Sequence, residues 1–427
     1  MKRLFAFAIA LSLLIFASGI WAQDTLPTEL NAQLDGLVTI TETLRGLDTL
    51  IPVERRFPTR EETIAYLSDA YDTDVSAQQL ARLEAFYRVL GIIPRDASLR
   101  DTYLRLLGAQ VGGFYDPDTR IMNVLPMLGD DVGSDLSISE QIIFIHEYTH
   151  ALQDQHFDLS RLENPEIADS PDRTLAALSL IEGDATAAMN LYTQAAMLND
   201  PGIAFALLAE GAMSGTLLLP PDTPEGLGRE LIFPYDSGLA FVLAIYNAGG
   251  WDAVNAAFDN FPVTTEQILH PQKYLDGETG ITVEGLNMPV SENAELLWDL
   301  PLGEYYLREW LRNTGVDFGA SSAAAGWGGD RFQMWQEENG DLIWSLHSVW
   351  DTLEDADQFA EAIASITAEN PDTIQLLGDQ GLCWPSDGQW YCFLYPPQFS
   401  LPTTFLTSAP TMEHASAPLI SVGTAGA

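Results

Sequence analysis

The pattern of apolar and polar positions divides the chain into a long helical part and a shorter mixed part. Residues 24 to about 110 read as mostly helical. Apolar residues from Ser76 to Leu90 fall at helical spacing, and Arg60-Glu61-Glu62 after Thr59 marks a capped helix start. The pattern changes at Gly112. Two strand-like runs, Val111 to Tyr115 and Ile121 to Leu125, flank the turn residues Asp116-Pro117-Asp118-Thr119, which predicts a hairpin. Ser137-Ile138-Ser139-Glu140 has capping-box spacing and opens a helix running to about Phe157. Further helices are predicted from Pro171 to Leu198, from Ile203 to Leu219, and over 236–248 and 251–259, the last two split by Gly249-Gly250. Residues 276–290 are turn-rich. Residues 291–400 alternate helices (Leu302–Asn313, Ala356–Glu369) with strands (Arg331–Gln336, Leu342–Val349). The segment from Leu401, rich in Thr, Ser, Ala and Pro, reads as a disordered tail.

The expected architecture is therefore α+β and mostly helical. It has an N-terminal helical region (24–104), a central part (105–275), a smaller C-terminal α+β domain (291–400) and the tail (401–427). Before these comes a targeting signal. Lys2 and Arg3 precede the uncharged run Leu4 to Phe16, and small residues at Ala17-Ser18-Gly19 or Ala22 offer cleavage sites. This predicts a secreted or extracytoplasmic protein with a cleaved signal peptide over residues 1–22, an uncleaved N-terminal anchor being the alternative. Two cysteines suit that compartment. Cys383 and Cys392 flank aromatic arms around Asp387-Gly388, a hairpin signal, and predict a cross-strand disulfide.

Charge narrows the partners. Among 427 residues, 19 Lys+Arg stand against 61 Asp+Glu, a formal charge of −42. Such a surface repels phosphate, which excludes nucleic acid and disfavours anionic lipid. It predicts no stable membrane association once the signal is cleaved. Apolar residues at 47% are enough for a large core.

One constellation carries chemistry. The helix after Ser137 contains His146-Glu147-Tyr148-Thr149-His150. Histidines at i and i+4 share a helix face and can converge on one ion, and Glu147 beside them can take a proton from a zinc-activated water. A catalytic zinc takes three protein ligands. Glu182, a carboxylate in the otherwise apolar helix 171–198, is the candidate third, because burying its charge requires a strong partner. Gly183 in mid-helix points to close packing there. Asp184 is a candidate to orient a ligand histidine, and Asp154, one turn past His150, is a second such candidate. His156 is a rival ligand whose helical angle from His150 points it elsewhere.

His146 to His150 followed by Glu182 on a downstream helix resembles the gluzincin metallopeptidases, the thermolysin-like superfamily. His146 to Gln155 is also similar to HExxHALQDQ-type segments of secreted bacterial proteins. Gly113 to Pro117, Glu182 to Ala185, Thr265 to Pro271 and Gly326 to Asp330 extend the likeness. The resemblance implies a zincin-like core over 105–275, with Zn2+ on His146, His150 and Glu182, Glu147 as general base and a peptide or protein substrate laid along an edge strand. It also implies an oxyanion donor from beyond Glu182, for which His270 is the first candidate and Tyr235 and Tyr274 the others. One position departs: Ile181 stands where thermolysin-like enzymes usually have Asn. The implied function is a secreted zinc-dependent metallopeptidase. The alternatives are a catalytically inactive zincin-like module, or an extracellular cell-envelope binding protein whose C-terminal aromatic residues form the working surface.

Overall fold

The computed structural model describes residues 27–110, 112–125, 133–209, 219–316, 318–368, 373–378, 381–396 and 399–425. The expected signal segment 1–22 and part of the helix expected over Ile203–Leu219 lie outside these. The chain is α+β and mostly helical, as the patterning predicts. It forms two compact units, one of Met1–Arg88, Ile93–Val263 and Ile268–Leu275, the other of Val89–Ile92, Thr264–Gln267 and Asp276–Ala427.

In the first unit, helices α1 (Thr28–Arg45), α2 (Arg60–Asp74), α3 (Ala77–Val89) and α4 (Leu99–Gln110) lead into a small sheet. The Thr59 side chain and Glu62 close a capping box at the start of α2. Strands β1 (Glu54–Arg56), β2 (Gly113–Asp116) and β3 (Ile121–Val124) take the order β1-β3-β2, which leaves β2 at an edge. The hairpin turn is built by Asp116, whose carboxylate accepts the Asp118 and Thr119 N–H groups and the Thr119 hydroxyl.

Helix α5 (Ile138–Phe157) starts at the predicted capping box of Ser137 and Glu140. Its inner face, Phe144, Ile145, Tyr148, Ala151 and Leu152, packs against Leu30, Leu34 and Leu37 of α1 and against Met122 and Val124 of β3. Helix α1 of the N-terminal helical region thus lies in the same core as the HExxH helix. Helix α6 (Pro171–Asn199) runs beside α5, followed by α7 (Gly202–Ala209) and α8 (Glu225–Asp259). The predicted break in α8 is present at Gly249 and Gly250, the latter at φ 67°. The helix begins earlier than expected, at Glu225, and carries Pro234 inside it.

Helices α6 and α8 touch backbone to backbone. A Cβ added at Gly183 would stand 2.3 Å from Gly238 carbonyl atoms, and one added at Gly238 would stand 2.2 Å from the Ser179 oxygen. The mid-helix glycine that propensity disfavours is thus required by packing.

The second unit holds a seven-stranded sheet. Its strands are β4 (Glu295–Leu300), β5 (Trp327–Gln336), β6 (Leu342–Trp350), β7 (Gln375–Leu377), β8 (Gly381–Ser386), β9 (Gln389–Leu394) and β10 (Thr403–Ala409), in the order β4-β5-β6-β10-β9-β8-β7. Helices α9 (Gly303–Asn313), α10 (Leu353–Ala368) and α11 (Met412–Ala425) complete it. The expected disordered tail is wrong. Strand β10 is buried along its whole length between β6 and β9, and α11 follows it. Its Thr and Ser residues look like linker chemistry by composition, yet β-branched Thr suits a pleated strand when its hydroxyl is bonded. Here Thr407 donates to the Ala415 carbonyl, and Thr404 accepts the Trp350 indole N–H.

Cys383 and Cys392 are opposed on β8 and β9 and form the predicted disulfide. Asp387 and Gly388, at φ 50° and 75°, make the turn between these strands. Trp344, Trp350 and Trp384 are buried, so these aromatics build core rather than a surface platform. The buried Asp330 carboxylate accepts the Leu302 and Gly303 N–H groups at the start of α9 and the Trp327 indole N–H.

Gly183→Ala or Gly238→Ala should destabilise the first unit by about 3 kcal/mol or more, since two backbones must separate. Gly36→Ala, in α1 with nothing within 4 Å of the added Cβ, should stabilise by about 0.5–1 kcal/mol. Denaturant unfolding of the three variants checks both signs.

Candidate metal centre

Two histidines one turn apart on α5 meet one carboxylate from α6. His146 Nε2 lies 3.1 Å from His150 Nε2 and 3.1 Å from Glu182 Oε2, and His150 Nε2 lies 3.5 Å from the same oxygen. Atoms bound to one tetrahedral zinc at about 2.0–2.1 Å stand about 3.4 Å apart, so these spacings suit that ion. Among the described residues no fourth His, Cys, Asp or Glu atom joins the three within 4.8 Å. The site lies inside the fold: His150 is fully buried, Glu182 is 1% exposed and His146 7%.

The charges are coupled. Burial pushes Glu182 up, but the two imidazoles outweigh it and hold the carboxyl well below the usual range. Burial pushes His150 down, but the charge and hydrogen bonding of Glu182 outweigh it and hold the imidazole at about 9. Glu147 shows the opposite balance. Its burial dominates the attraction of His146 and His150, and its carboxyl is raised.

Glu147 is held by the edge strand. Its Oε2 accepts the Tyr115 N–H at 3.0 Å. In the β2–β3 register Gly113 stands opposite Val124 and Tyr115 opposite Met122. The Leu125 N–H donates to the Gly112 carbonyl, so alternate residues from Gly112 point inward and Tyr115 points its N–H away from β3. Gly113 suits the crowding here, since a Cβ there would stand 3.1 Å from the Asn123 carbonyl oxygen and 3.2 Å from Ile143 Cγ2. The Tyr115 hydroxyl donates to Asp154 at 2.8 Å. Asp154 therefore does not support a histidine, as the sequence suggested, but anchors the strand that holds Glu147.

His150 is oriented from behind. Its Nδ1 lies 2.9 Å from Gln153 Oε1. Gln153 Nε2 donates to Asp184 Oδ2 at 2.8 Å and to the Ile181 carbonyl at 3.0 Å. Asp184 therefore acts one residue removed from His150, through Gln153, rather than directly as expected. Behind Asp184 stands Arg45 of α1, fully buried, with Nε 2.7 Å from one carboxylate oxygen and 2.8 Å from the other. Arg45 also donates to Asn255 and lies 4.5 Å from the centre of the Trp251 ring.

Of the candidate oxyanion donors, Tyr235 of α8 has its ring stacked against a ligand, 6.0 Å from that of His146. Tyr274 donates its hydroxyl to the Asn260 carbonyl. His270, half-buried between two short helical turns, is not among the groups gathered at the site. His156 lies within 2.8 Å of the Asp48 carbonyl, outside the cluster, as its helical angle predicted. Sequence reasoning missed Gln153, Arg45 and Tyr115. Only Gln153 carried a local signal, an amide three residues past His150 on the same helix face.

Comparison with known proteins adds little at this site. Residues 299–395, within the second unit, match a domain of unknown function, DUF8575. No curated protein matches the chain. Among solved structures, one from Chloroflexus aurantiacus, described as a presumed hydrolase with a novel fold, is similar at 18% identity. It covers 64% of this chain and 96% of its own, with a TM-score of 0.33, too low to bear on activity.

Glu182→Gln should lower the His150 pKa from about 9 by about 1–3 units, because burial then acts against a weaker opposing charge. A histidine-selective NMR titration of the metal-free protein measures it.

Proposed function

We propose that the chain is a zinc-dependent hydrolase of peptide bonds, working outside the cytoplasm on a peptide or protein substrate. The observation that carries this reading is the meeting of His146, His150 and Glu182 beside a separately held Glu147. Structural zinc sites close with four protein ligands, whereas catalytic ones use three and leave a position open. The donor set fits zinc: two imidazoles, and a carboxylate whose low pKa keeps it ionised. When bound, zinc supplies Lewis-acid polarisation of a carbonyl and lowers the pKa of water.

The remaining steps fall to the chain's own residues. Glu147 takes the proton from water and passes it to the leaving amine. Its raised pKa suits both transfers, because a base matched to the working pH accepts and returns a proton readily. The Tyr115 N–H keeps the Glu147 carboxylate aimed while it is charged. Strand β2, at a sheet edge, offers backbone groups to an extended substrate. Tyr235, whose ring stacks on that of ligand His146, is the candidate we assign to donate its hydroxyl to a developing oxyanion.

One observation favours a second reading. The four residues are nearly closed to solvent, Glu147 at 4% exposure, which suits a metal kept for stability in an inactive zincin-like module.

Metal analysis of the purified chain should find about one zinc, as three-ligand sites hold, and Glu182→Ala should lose it. Glu147→Gln should keep the zinc and hydrolyse a peptide library about 10²–10⁴-fold more slowly. Zinc retained with no cleavage by the parent chain would establish the second reading instead, and no zinc after reconstitution would sink both.

A further inference from the structure

We infer that Gln153, locked by Asp184 and Arg45, is a positioning residue that fixes which nitrogen of His150 faces the metal site. The inference rests on the zinc reading for its consequence, but its chemistry can be read without metal. A glutamine amide presents an oxygen on one side and an NH2 group on the other, and its flip is decided by its partners. On one side of Gln153 stand the Asp184 carboxylate, at 2.8 Å, and the Ile181 carbonyl, at 3.0 Å. Both accept hydrogen bonds and neither donates, so the NH2 group must face them. The amide oxygen is then forced toward His150 Nδ1, 2.9 Å away. An oxygen only accepts, so Nδ1 must carry a proton. Once His150 gives up its second proton, as binding a metal ion requires, the lone pair is left on Nε2, the atom that meets His146 and Glu182.

Arg45 makes this lock robust. Asp184 is completely buried, and its carboxylate is fixed in place from behind. The Arg45 guanidinium, its Nε 2.7 Å away and itself fully buried, holds the Asp184 carboxylate where it meets the Gln153 amide. The amide flip itself is set by geometry, because the Ile181 carbonyl 3.0 Å from Gln153 Nε2 can only accept. The order of dependence is thus Arg45, Asp184, Gln153, His150. It reaches from α1 to the site across 139 positions of sequence between Arg45 and Asp184. His146 has no counterpart, since its buried Nδ1 has no hydrogen-bond partner.

The test has two arms. In the metal-free full chain, brought above the His150 pKa of about 9 so that one ring proton remains, histidine-selective 15N–1H NMR should place that proton, hydrogen-bonded, on Nδ1, and Gln153→Met should abolish the preference. Zinc affinity, measured by chelator competition, should fall about 10–100-fold in Gln153→Met, the usual effect of removing a ligand's hydrogen-bond partner. Asp184→Asn alone should also weaken zinc, but should add nothing in the Gln153→Met background, because both act through one amide. A role in folding alone would leave the two losses additive. Removing Arg45 strands the Asp184 charge, so Arg45→Met is made together with Asp184→Leu, which leaves no buried charge and should reproduce the loss seen for Gln153→Met. A His150 Nδ1 proton that is absent, or unchanged in Gln153→Met, overturns the inference whatever the metal result. A parent chain showing the Nδ1 proton but no affinity for zinc overturns the zinc reading and leaves the lock standing.

Discussion

The fold is organised around a buried charge. Glu182 sits at 1% exposure in the middle of α6, between Ile181 and Gly183, in a stretch where nearly every neighbour is buried. An isolated carboxylate in such surroundings would cost several kcal/mol or give up its charge. It keeps the charge because two imidazoles stand within 3.5 Å. That requirement fixes much else. Helix α5 must lie alongside α6 with its i and i+4 histidines facing it, and α8 must lie close enough to bring Tyr235 over His146. The contact of Gly183 with Gly238 meets the second need. The glycine beside the carboxylate and the histidines opposite it are parts of one packing solution.

A second buried carboxylate, two residues along the same helix, raises the same problem and is answered differently. Asp184 takes its cation from Arg45, whose guanidinium also lies against the Trp251 ring. Cation, carboxylate and ring come from α1, α6 and α8. The three elements are therefore tied by a charge that none can release without exposing another, the circumstance in which losing one partner is most costly. This explains why the N-terminal helix belongs to the same core as the HExxH helix, a placement that its own sequence, a modestly amphipathic stretch ending in arginine, does not reveal.

What could be read from the sequence follows the range of each interaction. The capping boxes at Thr59 and Ser137, the hairpin at Asp116, the convergence of His146 with His150 and the break at Gly249-Gly250 all depend on residues within a few positions of one another. All of them were legible. Glu182 could be picked out because a charge in an apolar helix is locally anomalous. Arg45 carried no anomaly, and neither did Tyr115, whose role comes from its backbone N–H rather than its side chain. The tail failed for a different reason. Thr403 to Ala409 was judged by composition, but a strand paired on both sides is made by its neighbours, and one of them, β6, lies far from it in sequence.

The placement of Glu147 shows how weak local signals combine. Its partner is a main-chain N–H, so no side chain at position 115 is needed for that bond. What matters is that β2 is held at one height along α5. Two devices do this. Glycine at 113 removes a Cβ that would crowd Ile143 of that helix at 3.2 Å, and the Tyr115 hydroxyl reaches Asp154, two turns beyond Glu147 along it. One residue thus meets α5 at two points, through its backbone at Glu147 and through its side chain at Asp154. A strand pinned at two points on a helix cannot slide by one residue without losing both contacts. Such a slip would also turn the Tyr115 N–H back toward β3, since successive N–H groups alternate direction along a strand. The register of a four-residue strand is therefore what keeps the carboxylate beside the two histidines, and the short hairpin is as much a part of the site as the ligands themselves.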